Sequence, residues 1–260
     1  MDKSTISRRN SLKLFALTGT TLLTMPGYIF SSEKQNSILR FSIITDSHYA
    51  DREPSGTRFY RDSIPKMQEA IDSLNTQNLD FIIHLGDFKD EDTGAQPGDT
   101  LAYLDKVEAV FQKFKGPKYH DVDSITKQQF LNHIANTGQE KAESYYAFTA
   151  NGMRFIVLDA NYDADGTSHF FANGSDWENA NIPEKELNWL ADQLESWSIP
   201  TVVFCHHPLY EFYKEEAKFT QLGMVDYEGV ENNAFSIVEI TSTHIKIEGY
   251  KRASDHTIMI

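Results

Sequence analysis

The feature that most constrains this chain is the run Ile38-Leu-Arg-Phe-Ser-Ile-Ile-Thr-Asp-Ser-His48, an apolar segment that ends in an acid and an imidazole. Such runs are typical of buried strands in α/β proteins, where ligands collect beyond the carboxyl ends of the strands. At a spacing of two, the side chains of Asp46 and His48 would share one face of a still-extended strand. The pair could therefore hold one metal ion, although an Asp and a His at a strand end are more often ordinary turn or surface residues.

A second strand repeats this pattern. The residues from 62 to 77 predict a helix, because their apolar side chains recur at helical spacing. A second buried strand follows over 80–85 and ends in Gly86-Asp87-Phe88-Lys89-Asp90. A β-α-β unit places the carboxyl ends of both strands at one edge of a parallel sheet. We therefore expect Asp87 to lie close to Asp46 and His48.

A third candidate strand, over 200–205, ends in His206-His207-Pro208. Each of the three strand ends could be a plain turn or contain a capped core histidine. Three of them in this order indicate a single site instead. Carboxylates combined with imidazoles suit Mn, Fe, Zn or Mg rather than metals that prefer thiolates. The sequence thus predicts a metal site formed by residues from all three strand ends.

The other elements alternate between helices and strands. We predict helices over 100–114, 126–136 and 183–197, and a hairpin at Asn151-Gly152 between strands over 145–149 and 153–159. The polar stretch 160–182 is expected to form a loop over the edge of the sheet that carries the site. Short alternating strands from 235 to 260 favour an antiparallel sheet. The apolar residues expected to face inward from the third of these helices are Leu187, Trp189, Leu190 and Leu194.

Charge and cysteine content exclude several classes of function. The formal net charge of -14 argues against a nucleic-acid-binding surface, which needs clustered Lys and Arg. An acidic protein can still act on phosphates where a metal supplies local positive charge. The single cysteine, Cys205, excludes an internal disulfide and a multi-cysteine zinc site. A thiol nucleophile made of Cys205 and His206 is disfavoured, because neighbours along a strand face opposite ways.

The first 32 residues form a separate segment. Arg8-Arg9 precede a moderately apolar run over 14–30 that is too short and too polar for a membrane helix. This pattern resembles a twin-arginine export signal, with an ordinary basic signal peptide as the alternative. Either signal implies an exported, periplasmic or extracellular domain over 33–260 with no membrane contact beyond the signal. Because the segment carries a net charge of +3, its removal would take the chain from -14 to -17.

The three strand ends resemble those of a known family. Asp46-Ser47-His48, Gly86-Asp87-Phe88-Lys89-Asp90 and Phe204-Cys205-His206-His207-Pro208-Leu209 are similar to the first, second and fourth blocks of the calcineurin-like metallophosphoesterases. The connecting sequence is most similar to the manganese-dependent ADP-ribose/CDP-alcohol diphosphatase branch. The resemblance implies an α/β fold, a four-layer α/β/β/α sandwich with mixed sheets. It also implies hydrolysis of a phosphate ester or phosphoanhydride in a small substrate, with nucleoside diphosphate-linked compounds implied by the branch.

The same resemblance assigns roles to the candidate residues. It implies two divalent metal ions, with manganese favoured. Asp46 and His48 would bind one metal, Asp87 would bridge the two, and His206 would bind the second. His206 is preferred to His207 because the ligand of the family lies two places before the proline.

Five further residues are candidates around this metal pair. Asp90 and His207 are expected to orient the ligands. Arg58 and Tyr60 could contact the phosphate or base of the substrate, and a capping or packing role is the alternative for both. His120 is the candidate proton donor for the leaving group, because it stands in the place of the third block.

Two blocks of the family pattern are missing. The third, G-N-H-D, supplies an Asn ligand, and here the sequence reads Tyr119-His120-Asp121. The fifth, G-H-x-H, has no counterpart after His207, and we expect His244 and His256 to be surface residues. The explanations left open are a natural deletion that damages the site, a one-metal or rearranged enzyme, and residues absent from this sequence at both places. An exported binding protein that keeps the fold without catalysis is therefore the alternative function.

Overall fold

A computed structural model of the chain describes residues 13–17, 20–24, 37–90, 97–120, 125–169, 180–196, 198–207 and 223–260. Within these ranges, no helix combines the length and the apolar character that crossing a lipid bilayer requires. Two described strands, Lys13–Leu17 and Thr20–Thr24, fall inside the segment 1–32. The export signal stays a prediction.

Strands in the described residues form two mixed sheets. In chain order they are β1 (Lys13–Leu17), β2 (Thr20–Thr24), β3 (Leu39–Ile44), β4 (Phe81–His84), β5 (Lys118–His120), β6 (Tyr146–Ala150), β7 (Met153–Val157), β8 (Thr201–Phe204), β9 (Ala234–Ile240), β10 (His244–Lys251) and β11 (His256–Met259). The first sheet has the order β11-β10-β9-β3-β4-β5, and the second has the order β1-β2-β8-β7-β6. In the first sheet β3, β4 and β5 are parallel, and in the second β7 and β8 are parallel.

In the described part of the chain, four α-helices connect these strands. They are α1 (Ser63–Leu74), α2 (Pro97–Phe111), α3 (Lys127–His133) and α4 (Glu184–Glu195), with short 3₁₀ turns at Tyr60–Asp62 and Val230–Asn232. At the start of α3, the Thr126 hydroxyl accepts a hydrogen bond from the backbone N–H of Gln129 at 3.2 Å. A Thr followed three residues later by Gln is a capping-box pattern, which satisfies an otherwise unpaired N–H of the first turn.

Among the residues that the structure describes, three hydrophobic clusters separate four layers. The first lies between α1, α2 and one face of the six-stranded sheet, and the second fills the space between the two sheets. The third lies between the other face of the five-stranded sheet and α4. In the second cluster the ring of Phe41 stacks on Phe81 at 4.7 Å and meets the edges of Phe155 and Phe204. The predicted four-layer α/β/β/α sandwich with mixed sheets is therefore confirmed.

Most predicted elements are present. The structure adds a third parallel strand after α2, because the three residues of β5 pair with β4 despite their short apolar length. Leu187 is 47% exposed, so the prediction that it faces inward is wrong, whereas Trp189, Leu190 and Leu194 do pack against the third cluster. The hairpin prediction is confirmed, since Asn151 and Gly152 have φ values of 46° and 75° between β6 and β7. The ranges 121–124 and 208–222, where the family blocks are missing, lie outside the described residues.

Candidate metal centre

The site is formed by two neighbouring turns, one at the end of β3 and one at the end of the parallel strand β4. The backbone N–H of Asp46 donates to the carbonyl of Gly86 at 3.1 Å, and that of His48 donates to the carbonyl of Asp87 at 2.8 Å. Asp46, His48 and Asp87 all have left-handed backbone conformations, with φ values of 52°, 44° and 50°. Left-handed conformations cost free energy in residues other than glycine, and they concentrate at functional sites.

Asp46 and His48 come together in a way that differs from the one expected from their spacing. Strand β3 ends at Ile44, so the extended geometry that the spacing of two assumed is wrong. The side chains approach because both residues turn out of the strand in the same left-handed way. Gly223 leaves room for this turn, because a Cβ at that position would lie 2.6 Å from the Cβ of Asp46.

Asp87 lies between two histidines. Its Oδ2 atom is 3.0 Å from Nε2 of His48 and 3.5 Å from Nε2 of His206. Asp46 completes the cluster, with Oδ1 at 3.7 Å from Nε2 of His48. Ligand atoms of Asp46, Asp87 and His206 all lie within 4.8 Å of one another. The structure thus brings together all four residues for which the sequence predicted a metal-binding role.

Both histidines of the cluster are oriented through the ring nitrogen that faces away from Asp87. Nδ1 of His48 is 3.2 Å from Oδ2 of Asp90, and Nδ1 of His206 is 2.6 Å from the carbonyl oxygen of Leu85. A carbonyl can only accept, so Nδ1 of His206 carries the proton and Nε2 presents a lone pair when the ring is neutral. Histidines that bind metals are commonly held in this way by a carboxylate or carbonyl group.

Charges within the cluster shift several pKa values. Burial alone would lower the pKa of His48, but the negative charge of Asp87 and the nearby carboxylates of Asp46 and Asp90 hold it well above its usual value. Burial would raise the pKa of Asp87, but the positive charges of His48 and His206 hold it well below its usual value. A proton on His48 therefore balances the carboxylates, and a divalent cation would balance the same charge.

The donor set fits a divalent metal ion. Among the described residues, none gives Nε2 of His48 a well-directed hydrogen bond, although carboxylate oxygens lie 3.0 and 3.7 Å away. Polar atoms at these distances would fit around a shared ion. Carboxylate oxygens and imidazole nitrogens suit Mn, Fe, Zn or Mg. The side chains of Asp46 and Asp87 are 27% and 34% exposed, so the cluster is accessible to solvent on the carboxylate side.

The other predicted site residues have different surroundings. His207 lies beside His206, with ring centres 5.1 Å apart, and burial together with the charge of His206 lowers its pKa to about 4. Arg58 is 46% exposed and has Nη1 at 3.6 Å from Asp90. Tyr60 is only 4% exposed and packs in the first cluster, which supports the packing role rather than a substrate contact.

The backbone also places His120, Cys205 and the two late histidines. His120 is the last residue of β5 and pairs in register with His84 of β4, one strand away from the turn that carries Asp87. Cys205 is fully buried in the third cluster, so its thiol packs as an apolar side chain. His244 and His256 lie in β10 and β11, at the opposite edge of the six-stranded sheet.

Sequence reasoning missed one histidine near the cluster. His169 is 5% exposed, its ring centre lies 6.4 Å from that of His207, and its Nε2 is 3.4 Å from Asp163. It belongs to the polar loop that was expected over this edge of the sheet. The sequence offered one signal for it, a histidine in an Asp-rich and aromatic-rich stretch, but no spacing that linked it to His206.

Comparison with known proteins shows the fold. No protein-family model matches the chain, and no curated protein matches its sequence. Among solved structures, the chain is similar to a dimetal phosphatase from Danio rerio, with a TM-score of 0.63 and 17% sequence identity over 86% of this chain and 99% of that chain.

Two other solved structures match less well. A purple acid phosphatase from yellow lupin (Lupinus luteus) seeds gives a TM-score of 0.38 and 10% identity over 92% of this chain and 58% of that chain. The NAD nucleotidase of Haemophilus influenzae gives a TM-score of 0.43 and 11% identity over 85% of this chain and 49% of that chain. This chain therefore shares its fold with the Danio rerio dimetal phosphatase.

Proposed function

We propose that this chain is a metal-dependent hydrolase of phosphate ester or phosphoanhydride bonds. The observation that carries the proposal is the position of Asp87 Oδ2, 3.0 Å from Nε2 of His48 and 3.5 Å from Nε2 of His206. A carboxylate oxygen between two imidazole nitrogens is suited to bridging two metal ions. The shared fold with a dimetal phosphatase supports the same reading.

Each residue of the cluster has a separate part in this proposal. Asp46 and His48 would hold one divalent ion, His206 would hold the second, and Asp87 would contact both. Divalent ions bound here supply positive charge to the phosphoryl oxygens and make a water molecule more acidic. Manganese is the ion we favour, on the resemblance of the connecting sequence.

Residues around the cluster orient these ligands and bind the substrate. Asp90 fixes the ring of His48 through Nδ1, at 3.2 Å. For Arg58, which is half-exposed and 3.6 Å from Asp90, we propose a contact with an anionic group of the substrate. His120, at the end of β5, is the residue that we propose as proton donor to the leaving group. For the substrate itself we propose a small nucleoside diphosphate-linked compound, and for the location of the protein the periplasm or the exterior.

Turnover with added metal tests the proposal. We expect manganese-dependent hydrolysis of ADP-ribose or of bis-p-nitrophenyl phosphate, and we expect Asp87→Ala to reduce it to the uncatalysed rate. Asp105→Ala is the matched control, because Asp105 is an exposed carboxylate on α2 that contacts His133. Failure of the unmodified protein to hydrolyse either compound with any divalent metal would refute the enzyme proposal.

A non-catalytic binding protein is the second candidate. Two ligand blocks of the resembled family are missing, so Asp46, His48, Asp87 and His206 have to hold the metals without the usual additional Asn and His. Two protein ligands are marginal for a catalytic ion, whereas three ligands and a water are common. Metal content after purification separates the candidates, because a stoichiometry well below one ion per chain favours the binding protein.

A further inference from the structure

A buried serine and a buried histidine join the two turns beneath the metal centre. Ser47 lies between the ligands Asp46 and His48, and His84 is the last residue of β4, three residues before Asp87. Both side chains are completely buried. The hydroxyl of Ser47 is 3.0 Å from Nε2 of His84 and donates to the carbonyl oxygen of Phe88 at 2.7 Å. One hydroxyl group therefore contacts both sides of the turn that carries Asp87.

The hydrogen bonds fix where the protons lie. A carbonyl oxygen only accepts, so the single proton of the Ser47 hydroxyl is directed to Phe88. The contact with His84 then requires a proton on Nε2 of that ring, which donates to the serine oxygen. The result is a directed chain from His84 through Ser47 to the backbone of Phe88. These hydrogen bonds fix the position of the turn that carries Asp46 and His48 relative to the turn that carries Asp87.

The surroundings of this pair leave it little freedom. The ring of His84 packs against Phe88 and Phe111, with ring centres 4.5 and 6.1 Å away. The hydroxyl of Ser63 at the start of α1 donates to the carbonyl oxygen of Ser47. A buried polar group that loses its partner destabilises the folded protein, so these hydrogen bonds persist in the native state. Ser47 is thereby tied to α1, to β4 and to the second turn.

We propose that Ser47 and His84 are positioning residues that set the separation of Asp46 and His48 from Asp87. Neither residue touches the proposed ions or the substrate. Ser47 acts through the backbone of the first turn, and His84 acts by holding the Ser47 hydroxyl. The inference rests on the proposed function, in that the cluster must bind divalent ions for its spacing to matter.

The test is a calorimetric titration of metal-free protein with Mn²⁺. We expect Ser47→Ala and His84→Leu to weaken Mn²⁺ binding by about 10- to 100-fold, the usual effect of losing an outer partner of a metal ligand. His84→Gln should restore most of the affinity, because its side-chain amide can donate to Ser47 where the imidazole did. A purely structural role for His84 predicts no difference between Leu and Gln variants of equal stability.

Ser42→Ala is the matched control. Ser42 lies on the same strand, β3, is completely buried, and donates its hydroxyl proton to the carbonyl oxygen of Ser236 at 2.8 Å. Ser42→Ala should lower the free energy of unfolding as much as Ser47→Ala does, and it should leave Mn²⁺ affinity unchanged. Equal affinity in Ser47→Ala and the unmodified protein would overturn the positioning role alone. A lack of Mn²⁺ binding by the unmodified protein would overturn both this role and the proposed function.

Discussion

At the scale of single residues, Gly86 shows how closely the side chains of the candidate metal centre are packed. Its φ of 90° lies in the region that favours glycine. The imidazole of His206 lies directly over it, so that a Cβ at this position would be 2.5 Å from Nδ1 of His206. The same nitrogen donates to the carbonyl of Leu85, which turns Nε2 toward Asp87. Any side chain at Gly86 therefore has to displace a predicted ligand.

Gly86→Ala should therefore weaken metal binding as well as stability. We expect a loss of more than about 2 kcal/mol in the free energy of unfolding, because the left-handed conformation alone costs an alanine about 1–2 kcal/mol. The displaced ring of His206 should also reduce Mn²⁺ affinity. Denaturant unfolding and Mn²⁺ titration of the same preparation measure the two effects.

Gly138→Ala separates strain from steric conflict. Gly138 has a φ of 79°, and a Cβ there would meet no atom within 4 Å. Its substitution should cost about 1–2 kcal/mol for the backbone conformation and leave Mn²⁺ affinity unchanged. If the two alanine variants were equally stable and bound Mn²⁺ equally well, His206 would not occupy the position described for it.

At the scale of elements, a buried ion pair ties helix α3 to the end of strand β7. Nζ of Lys127 lies 2.5 Å from Oδ2 of Asp159, whose side chain is completely buried. The other carboxylate oxygen of Asp159 accepts from the backbone N–H of Asn161 at 3.0 Å. The carbonyl of Asn161 in turn accepts from the N–H of His169 at 2.9 Å. The pair thus fixes the loop that brings His169 beside His207.

Lys127→Met should be strongly destabilising. It leaves the carboxylate of Asp159 buried without its cation, which typically costs about 3–5 kcal/mol. Lys246→Met is the control, because Lys246 forms an ion pair with Glu248 in which both side chains are more than 40% exposed. Exposed pairs contribute about 0–1 kcal/mol, so this variant should unfold almost as the parent does. Similar unfolding midpoints for both lysine variants would contradict the role given to Asp159.

The sequence predicted the strands and the helix that carry the site, but it did not predict the two turns that hold Asp46, His48 and Asp87. Apolar runs and helical periodicity located β3, α1 and β4, and the β-α-β rule placed Asp46 beside Asp87. The left-handed turns were not predictable, because Asp and His have no local preference strong enough to require them. They arise from contacts between the two turns, such as the bond from the N–H of His48 to Asp87.

Two further features depended on contacts distant in sequence. The three residues of β5 have little strand signal of their own, and they form a strand because β4 offers an unpaired edge. Leu187 fits the apolar helical pattern of α4, yet it is exposed because that helix packs on the third cluster through the partly buried side chains of Trp189, Leu190 and Leu194. Periodicity identifies a helix, and only the packed sheet determines which residues complete its buried face.

At the scale of the whole molecule, two histidines give opposite pH dependences to the stability of the metal-free protein. The unfolded pKa of each is about 6.5. Burial first, and then the charge of His206, lowers the folded pKa of His207 to about 4. Between these values the unfolded chain binds the extra proton, so the free energy of unfolding rises with pH. Protonation of His207 therefore destabilises the protein as the pH falls through this window.

His48 affects the stability of the metal-free protein above pH 6.5. Burial opposes its protonation, but Asp87 and the neighbouring carboxylates hold its folded pKa well above the usual value. Above pH 6.5 the folded protein keeps a proton that the unfolded chain has lost, so the free energy of unfolding falls as the pH rises. Burial lowers the pKa of Lys66 to about 8, so above that pH the unfolded chain binds the extra proton and the contribution of Lys66 to the free energy of unfolding rises with pH. The metal-free protein should therefore be most stable near pH 6.5, with the effect of His48 clearest between 6.5 and 8.

Denaturant unfolding of the chelator-treated protein from pH 4.5 to 8 measures this profile. We expect His207→Asn to flatten the rise below pH 6.5 and Asp87→Asn to flatten the decline above it. Saturating Mn²⁺ should reverse the decline, because the metal binds the deprotonated ring of His48 and only in the folded protein. A stability that stays constant from pH 6.5 to 8 without metal would mean that His48 is not held protonated by the carboxylates. A decline that persists with Mn²⁺ would mean that the ion does not replace that proton.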